Sequence, residues 1–316
     1  MPDSNRTSDK WIEYMQNGAF EKAWMLSDEV LKNGTNREYH SLARNFQCIW
    51  DGTPLKGKRV LIRCYHGLGD TIQFIRYVRL LKEVAAQVIV WAQPKLIELL
   101  ETFSGIDKLI PIHDGPPDTD YDVDVEILEL PHIFRTSLYT IPLNIPYLNV
   151  NPVSLVKDKG QLSVGLVWHA GDWDPSRCIP FLSLMPLAFV KGVEYCILQN
   201  NALSAGWRPG FGIHPGECSI YEYAEIISGL DLMITVDSMP AHLAGALNVP
   251  VWVMLKIDSD WRWMINRTDS PWYPSMKLFR QTTSGNWDNV INQVARELSA
   301  FQIKRLESSE FSANLR

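Results

Sequence analysis

The 316-residue sequence predicts an α/β fold: two Rossmann-like domains facing each other across a cleft, behind a short N-terminal helical segment. Three observations predict it. From Lys58 onward, short apolar runs alternate with stretches of helical periodicity, the pattern of a parallel sheet covered on both faces. That pattern stops at the polar, breaker-rich stretch NPVSLVKDKG (151–160) and then starts again. Finally, LDLMITVDSMPAHLAGALNVPVWVML (230–255) reads as strand, turn, helix and strand without a gap.

The elements follow in order. Trp11 to Met15 and Ala19 to Leu31 carry apolar positions three and four residues apart, broken at Asn17-Gly18 and again at Asn33-Gly34. The helical pattern runs over 8–47, and NGAFEKAWMLSDEVLK resembles one helix pair of a tetratricopeptide repeat. A single pair cannot bury its own face, so it is expected to pack on the domain that follows. Val60 to Cys64, Gln87 to Ala92, Lys108 to Ile112 and Asp122 to Leu128 are strands, with helices over Thr71 to Ala86 and Pro94 to Phe103. After the linker come strands at Ser163 to Trp168, Glu194 to Gln199, Leu232 to Val236 and Val249 to Leu255. Helices fall at Leu182 to Val190, Ile220 to Gly229, Met239 to Leu247 and Trp287 to Leu306, the last long enough to cross between domains. The expected domains are 1–56 (helical segment), 57–152 and 153–316. Ligands of such folds sit at the carboxyl ends of strands, which directs attention to the loops after Cys64, Trp168 and Val236.

Composition narrows the function. Apolar residues make up 46% and charged residues 21%, an ordinary globular balance. The net charge of -6 provides no basic face for nucleic acid. Five scattered cysteines (Cys48, Cys64, Cys178, Cys196, Cys218) form no CxxC pair, so neither a zinc site nor a disulfide framework is expected. Neither a membrane span nor a signal peptide is read, and the expected compartment is cytoplasmic; the N-x-T triplets at Asn5, Asn33 and Asn266 then carry no meaning. G-x-S-x-G, Walker A and HExxH motifs are absent.

Several residues can carry chemistry. In HGLGD, Gly67 and Gly69 are spaced G-x-G, but Ile72 stands where a dinucleotide fingerprint needs its third glycine. His66, Gly67 and Gly69 can approach a ligand, and Asp70 lies at a helix N-terminus as either a cap or a base. Arg177, in HAGDWDPSRCIP, has a guanidinium fork suited to a diphosphate; its other reading is a surface ion pair with Asp172 or Asp174. His169 reads first as a polar core residue at a strand end. In VDSMPAH, Ser238 can cap a helix with Pro240 in its first turn, leaving N–H groups for a phosphate beside Asp237 and His242. An ordinary capped β-α-β unit explains that segment equally well. Five of the 12 tryptophans (Trp252, Trp261, Trp263, Trp272, Trp287) crowd one region, where Asp260 and Arg262 are the better site candidates.

HGLGD, WHAGDWDPSR and VDSMPAHLAGAL together resemble the heptosyltransferase-like glycosyltransferases of family 9, which have the GT-B fold. DWRWMINRTDSPWYPSMKLFRQ is similar to the branch often fused to tetratricopeptide repeats, and the resemblance spans roughly residues 57–305. It implies Asp70 as general base, Arg177 in contact with donor phosphate, and Asp237, Ser238, Met239 and His242 in contact with the donor. Many family members carry lysine where Arg177 stands and glycine or alanine where Met239 stands. The implied activity is inverting, metal-independent transfer of a heptose or hexose from a nucleotide-diphosphate donor to an acceptor hydroxyl, in bacterial glycoconjugate biosynthesis. No cofactor is implied beyond the donor itself, and the acceptor would be a glycan, a lipid-linked molecule or a protein. Two alternatives are a nucleotide-sugar-binding protein without turnover and an assembly protein acting through its N-terminal helices.

Overall fold

The computed structural model describes residues 4–32, 50–156, 160–171 and 173–314, the side chains of 4–6 and 306–314 excepted. The Asn33-Gly34 break, the helical reading of 33–47, Cys48 and Asp172 lie outside the described residues. The chain divides into two units. The first holds Met1–Val150 with two later returns, Asp260–Arg267 and Pro271–Pro274. The second holds Asn151–Ser259, Thr268–Ser270 and Ser275–Arg316.

In the first unit, helices α1 (Ser4–Gln16) and α2 (Phe20–Lys32) meet at Gly18, whose φ of +73° takes the left-handed turn that glycine tolerates best. The pair packs on its own unit, as expected of a helix pair that cannot bury its own face. Trp24 Nε1 donates to the Thr136 carbonyl at 2.7 Å, Phe20 stacks on Trp272, and Trp11 meets Trp261 edge to face. Strands β1 (Arg59–Arg63), β2 (Gln87–Ala92), β3 (Lys108–Pro111) and β4 (Val123–Glu126) form a parallel sheet in the order β3-β2-β1-β4. Helices α3 (Leu68–Phe74), α4 (Val78–Val84), α5 (Ile97–Leu100) and α6 (Leu130–Ile133) also belong to the described part of this unit.

The helix expected from Thr71 starts at Leu68 and is interrupted by a 3-10 turn, Ile75–Tyr77. The buried Arg76 occupies that turn. Its guanidinium donates to the Trp272 carbonyl (2.7 Å) and the Tyr147 hydroxyl (3.0 Å), and lies over the Tyr147 and Tyr273 rings. Arg76 therefore fastens the returning 271–274 segment to the first sheet's helices.

The second unit has strands β5 (Leu162–Val167), β6 (Val193–Ile197), β7 (Leu232–Val236), β8 (Val251–Leu255) and β9 (Met276–Arg280), all parallel, in the order β6-β5-β7-β8-β9. Its helices are α7 (Met185–Ala188), α8 (Ile220–Ser228), α9 (Met239–Ala246) and α10 (Asp288–Asn314). The sequence reading missed β9, whose run MKLFR has two charged residues in five and gains its place by pairing with β8. Gly165 in β5 is dictated by packing. A Cβ there would lie 2.5 Å from Leu230 Cδ1 and 2.6 Å from Met233 Sδ. Each sheet reverses its strand order once, between β1 and β4 and between β5 and β7, and those are the points where such sheets bind ligands.

Candidate active site

In the first unit, the loop after β1 carries His66 and the two glycines. Gly67 caps α3 in extended backbone, and its N–H donates to Asp70 Oδ2 at 2.9 Å, so Asp70 sits in the helix's first turn as half of a capping box. The cap reading of Asp70 holds, but it is not the whole account. Arg262, from the returning 260–267 segment, donates from Nη2 to Asp70 Oδ1, from Nη1 to Asp260 Oδ1 (2.8 Å) and from Nε to Gln73 Oε1 (2.9 Å). Asp260 also caps the turn Trp261–Trp263. The structure thus brings Asp70, Asp260 and Arg262 together. Each Asp70 oxygen keeps a lone pair for a hydroxyl, and the side chain is 23% exposed.

His66 lies 3.6 Å from Glu126, a buried carboxyl at the end of β4 that the sequence reading passed over. Burial pushes Glu126 well above the carboxylate range, helped by the neighbouring Glu129 and opposed by nearby backbone amides. Burial lowers His66, against the pull of Asp70. Nothing in VDVE marks Glu126 in advance; only strand order places it beside HGLGD.

In the second unit, Ser238 is the N-cap residue of α9, but its hydroxyl does not cap the helix as expected. It points back to the Val236 carbonyl (3.1 Å) and to Thr235 Oγ1 (3.2 Å). The short hydroxyl prefers the strand-end acceptors, and α9 begins without a side-chain cap. Asp237 and His242 are buried, while Met239 is half-buried as the first residue of α9. The ion pair considered for Arg177 does not form with Asp174. Arg177 Nη1 instead donates to the Asp237 carbonyl at 2.9 Å, and its guanidinium lies over the Trp173 ring. Asp174 takes Lys256 (2.7 Å), a residue the sequence reading did not single out. His169 is half-buried and lowered by burial, with its backbone N–H on Gln199 Oε1 at 2.8 Å.

Known proteins share sequence or fold with this chain. Residues 211–256, which contain α8, β7, the Asp237–Ser238 turn, α9 and β8, match the model of glycosyltransferase family 9 (heptosyltransferase). E. coli ADP-heptose lps heptosyltransferase II superposes with a TM-score of 0.55 at 14% identity, over 78% of this chain and 99% of that one. The fold is that of the family 9 heptosyltransferases. TibC of enterotoxigenic E. coli H10407, an iron-containing dodecameric glycosyltransferase, also superposes, with a TM-score of 0.53 at 13% identity over 81% of this chain and 78% of its own. FlbA of Caulobacter vibrioides is 24% identical over 293 residues, covering 80% of this chain and 48% of FlbA. The chain therefore spans about half the length of that curated relative. Among the described residues no group of three or more His, Cys, Asp or Glu could hold a metal ion. Nor, among them, is any helix long and apolar enough to cross a membrane.

Proposed function

We propose that this chain is an inverting glycosyltransferase that moves a heptose or hexose from a nucleotide-diphosphate donor to an acceptor hydroxyl. The observation that carries the reading is the convergence of Arg177 on the turn that opens α9, inside the segment matching family 9. A guanidinium and an uncapped helix N-terminus together suit a diphosphate. In this reading Arg177, Asp237, Ser238, Met239 and His242 hold the donor. Asp70 accepts the acceptor's proton as its oxygen forms the new bond to the anomeric carbon. The bond from that carbon to the diphosphate breaks, and Arg177 and the α9 N–H groups take up the charge of the leaving group. His66, Gly67, Gly69, His169, Asp260 and Arg262 line or position the loops around the reactants. The heptosyltransferase named above is an ADP-heptose enzyme, which makes ADP the first nucleotide to test.

Binding without turnover is the second reading, and one observation favours it: Arg262 and the Gly67 N–H already engage Asp70. A thermal-shift panel of nucleotides and nucleotide-sugars tests the shared claim, because a specific ligand stabilises only the folded state. At least one diphosphate should raise the melting temperature. If none does while the protein is folded, both readings fail and the chain is left as an assembly protein. Donor consumption with an acceptor extract then separates enzyme from binder.

A further inference from the structure

Strand order brings a second cation to the loop that carries Arg177. β7 lies between β5 and β8, so the loop after β5 must pass over the carboxyl end of β7 to touch the residue after β8. It does so through Asp174, which pairs with Lys256 at 2.7 Å, and Ser176, whose hydroxyl accepts from Lys256 at 3.1 Å. Arg177 of the same loop reaches the Asp237 carbonyl. Lys256 thus meets the loop whose Arg177 reaches the end of β7, all within the second unit.

The ion pair is not needed to shape the loop. Backbone bonds from Cys178 to Pro175 (2.9 Å) and from Ile179 to Trp168 (2.9 Å) fix it, and Asp174 itself caps the turn by accepting from the Ser176 N–H at 3.0 Å. The paired side chains are partly exposed, 25% and 21%, where such pairs add little stability. The Asp174 carboxylate stays charged near neutral pH, since Lys256 and Ser176 hold it down to about 2.

We propose that Lys256 is a diphosphate-binding residue and that Asp174 holds it until the donor's diphosphate takes the carboxylate's place. This rests on the donor-binding reading above and adds to it a residue and an exchange. A diphosphate carries more charge than one carboxylate, so the exchange favours the ligand. Asp174 then acts as an internal competitor that a nucleoside or a monophosphate displaces poorly.

The test is the sign of two substitutions, read by calorimetric titration of the full chain with ADP, GDP, UDP and inorganic pyrophosphate. Asp174→Asn keeps the oxygen that caps Ser176 but removes the competing charge, so diphosphate binding should tighten by about two- to fivefold. Lys256→Met should weaken it by about tenfold or more, and Lys256→Arg should restore most of the loss. If the pair is merely a clip for the loop, both charge removals weaken binding together; weaker or unchanged binding in Asp174→Asn overturns the proposal. That result leaves donor binding itself intact. Failure of the wild-type chain to bind any of the four probes defeats the donor reading and this inference with it. Should Lys256→Met not fold, the sign for Asp174→Asn decides alone.

Discussion

Asp70 shows why residue type and spacing give only half a site. Its place in HGLGD was legible, because a carboxylate three residues after a cap position reaches back to the cap's N–H. Its partner Arg262 lies 192 residues away and was legible only as a candidate in a tryptophan-rich stretch. As the proposed base in transfer, Asp70 should be replaceable in shape but not in chemistry. Asp70→Asn is expected to lower transfer by about 10²–10⁴-fold while leaving donor binding unchanged, measured as turnover and as ADP affinity. Near-full transfer in a folded variant would reduce Asp70 to a cap. Arg262→Lys should cost turnover as well, because an ammonium cannot reproduce a fork that serves Asp70, Asp260 and Gln73 at once.

At the scale of elements, close approaches and buried rings set the stability. The C-cap glycine of α8, Gly229, faces the segment after Val150: a Cβ there would lie 2.3 Å from the Val153 carbonyl oxygen. Gly229→Ala should destabilise by about 1–3 kcal/mol in a denaturant melt, as overpacking against backbone usually does. Helix α2 is held to α6 and the residue beyond it by Asp28, which accepts from His132 Nε2 (2.9 Å) and takes both arms of Arg135 (2.9 and 2.7 Å). Burial lowers His132 despite Asp28, so the ring is neutral near pH 7 and donates from Nε2. The unfolded chain therefore binds a proton first as pH falls below about 6.5. Stability is full above that value and declines toward the lower folded value, by at most about 1.4 kcal/mol per pH unit for this group. Melting temperatures should fall between pH 7 and 5, and His132→Gln should flatten part of that slope; an unchanged slope would contradict the assignment. None of this was visible in the chain, since the sequence shows neither which loop crosses α8 nor that His132 faces α2.

For the molecule as a whole, strands and their order divide what could be read from what could not. Buried parallel strands announce themselves as apolar runs, and β2 and β7 fall where the runs predicted them. β9 and the short 3-10 turns lack that signal, because their conformation depends on neighbours rather than on local pattern. Lys256 and Glu126 escaped for the same reason: an ordinary residue at or just past a strand's end gains meaning only once the neighbouring strand is known. With Arg177, Lys256 and the α9 amides available for the diphosphate charge, transfer should persist in excess EDTA. Loss on chelation and recovery with Mg²⁺ or Mn²⁺ would contradict that expectation. The central claim is that the turn opening α9 binds a diphosphate through Arg177, and it is met most directly by titrating wild type and Arg177→Ala with ADP and with adenosine. The account predicts that the substitution costs about 1.5–3 kcal/mol for ADP and almost nothing for adenosine; equal losses for both ligands, or no ADP binding by the wild type, would contradict it.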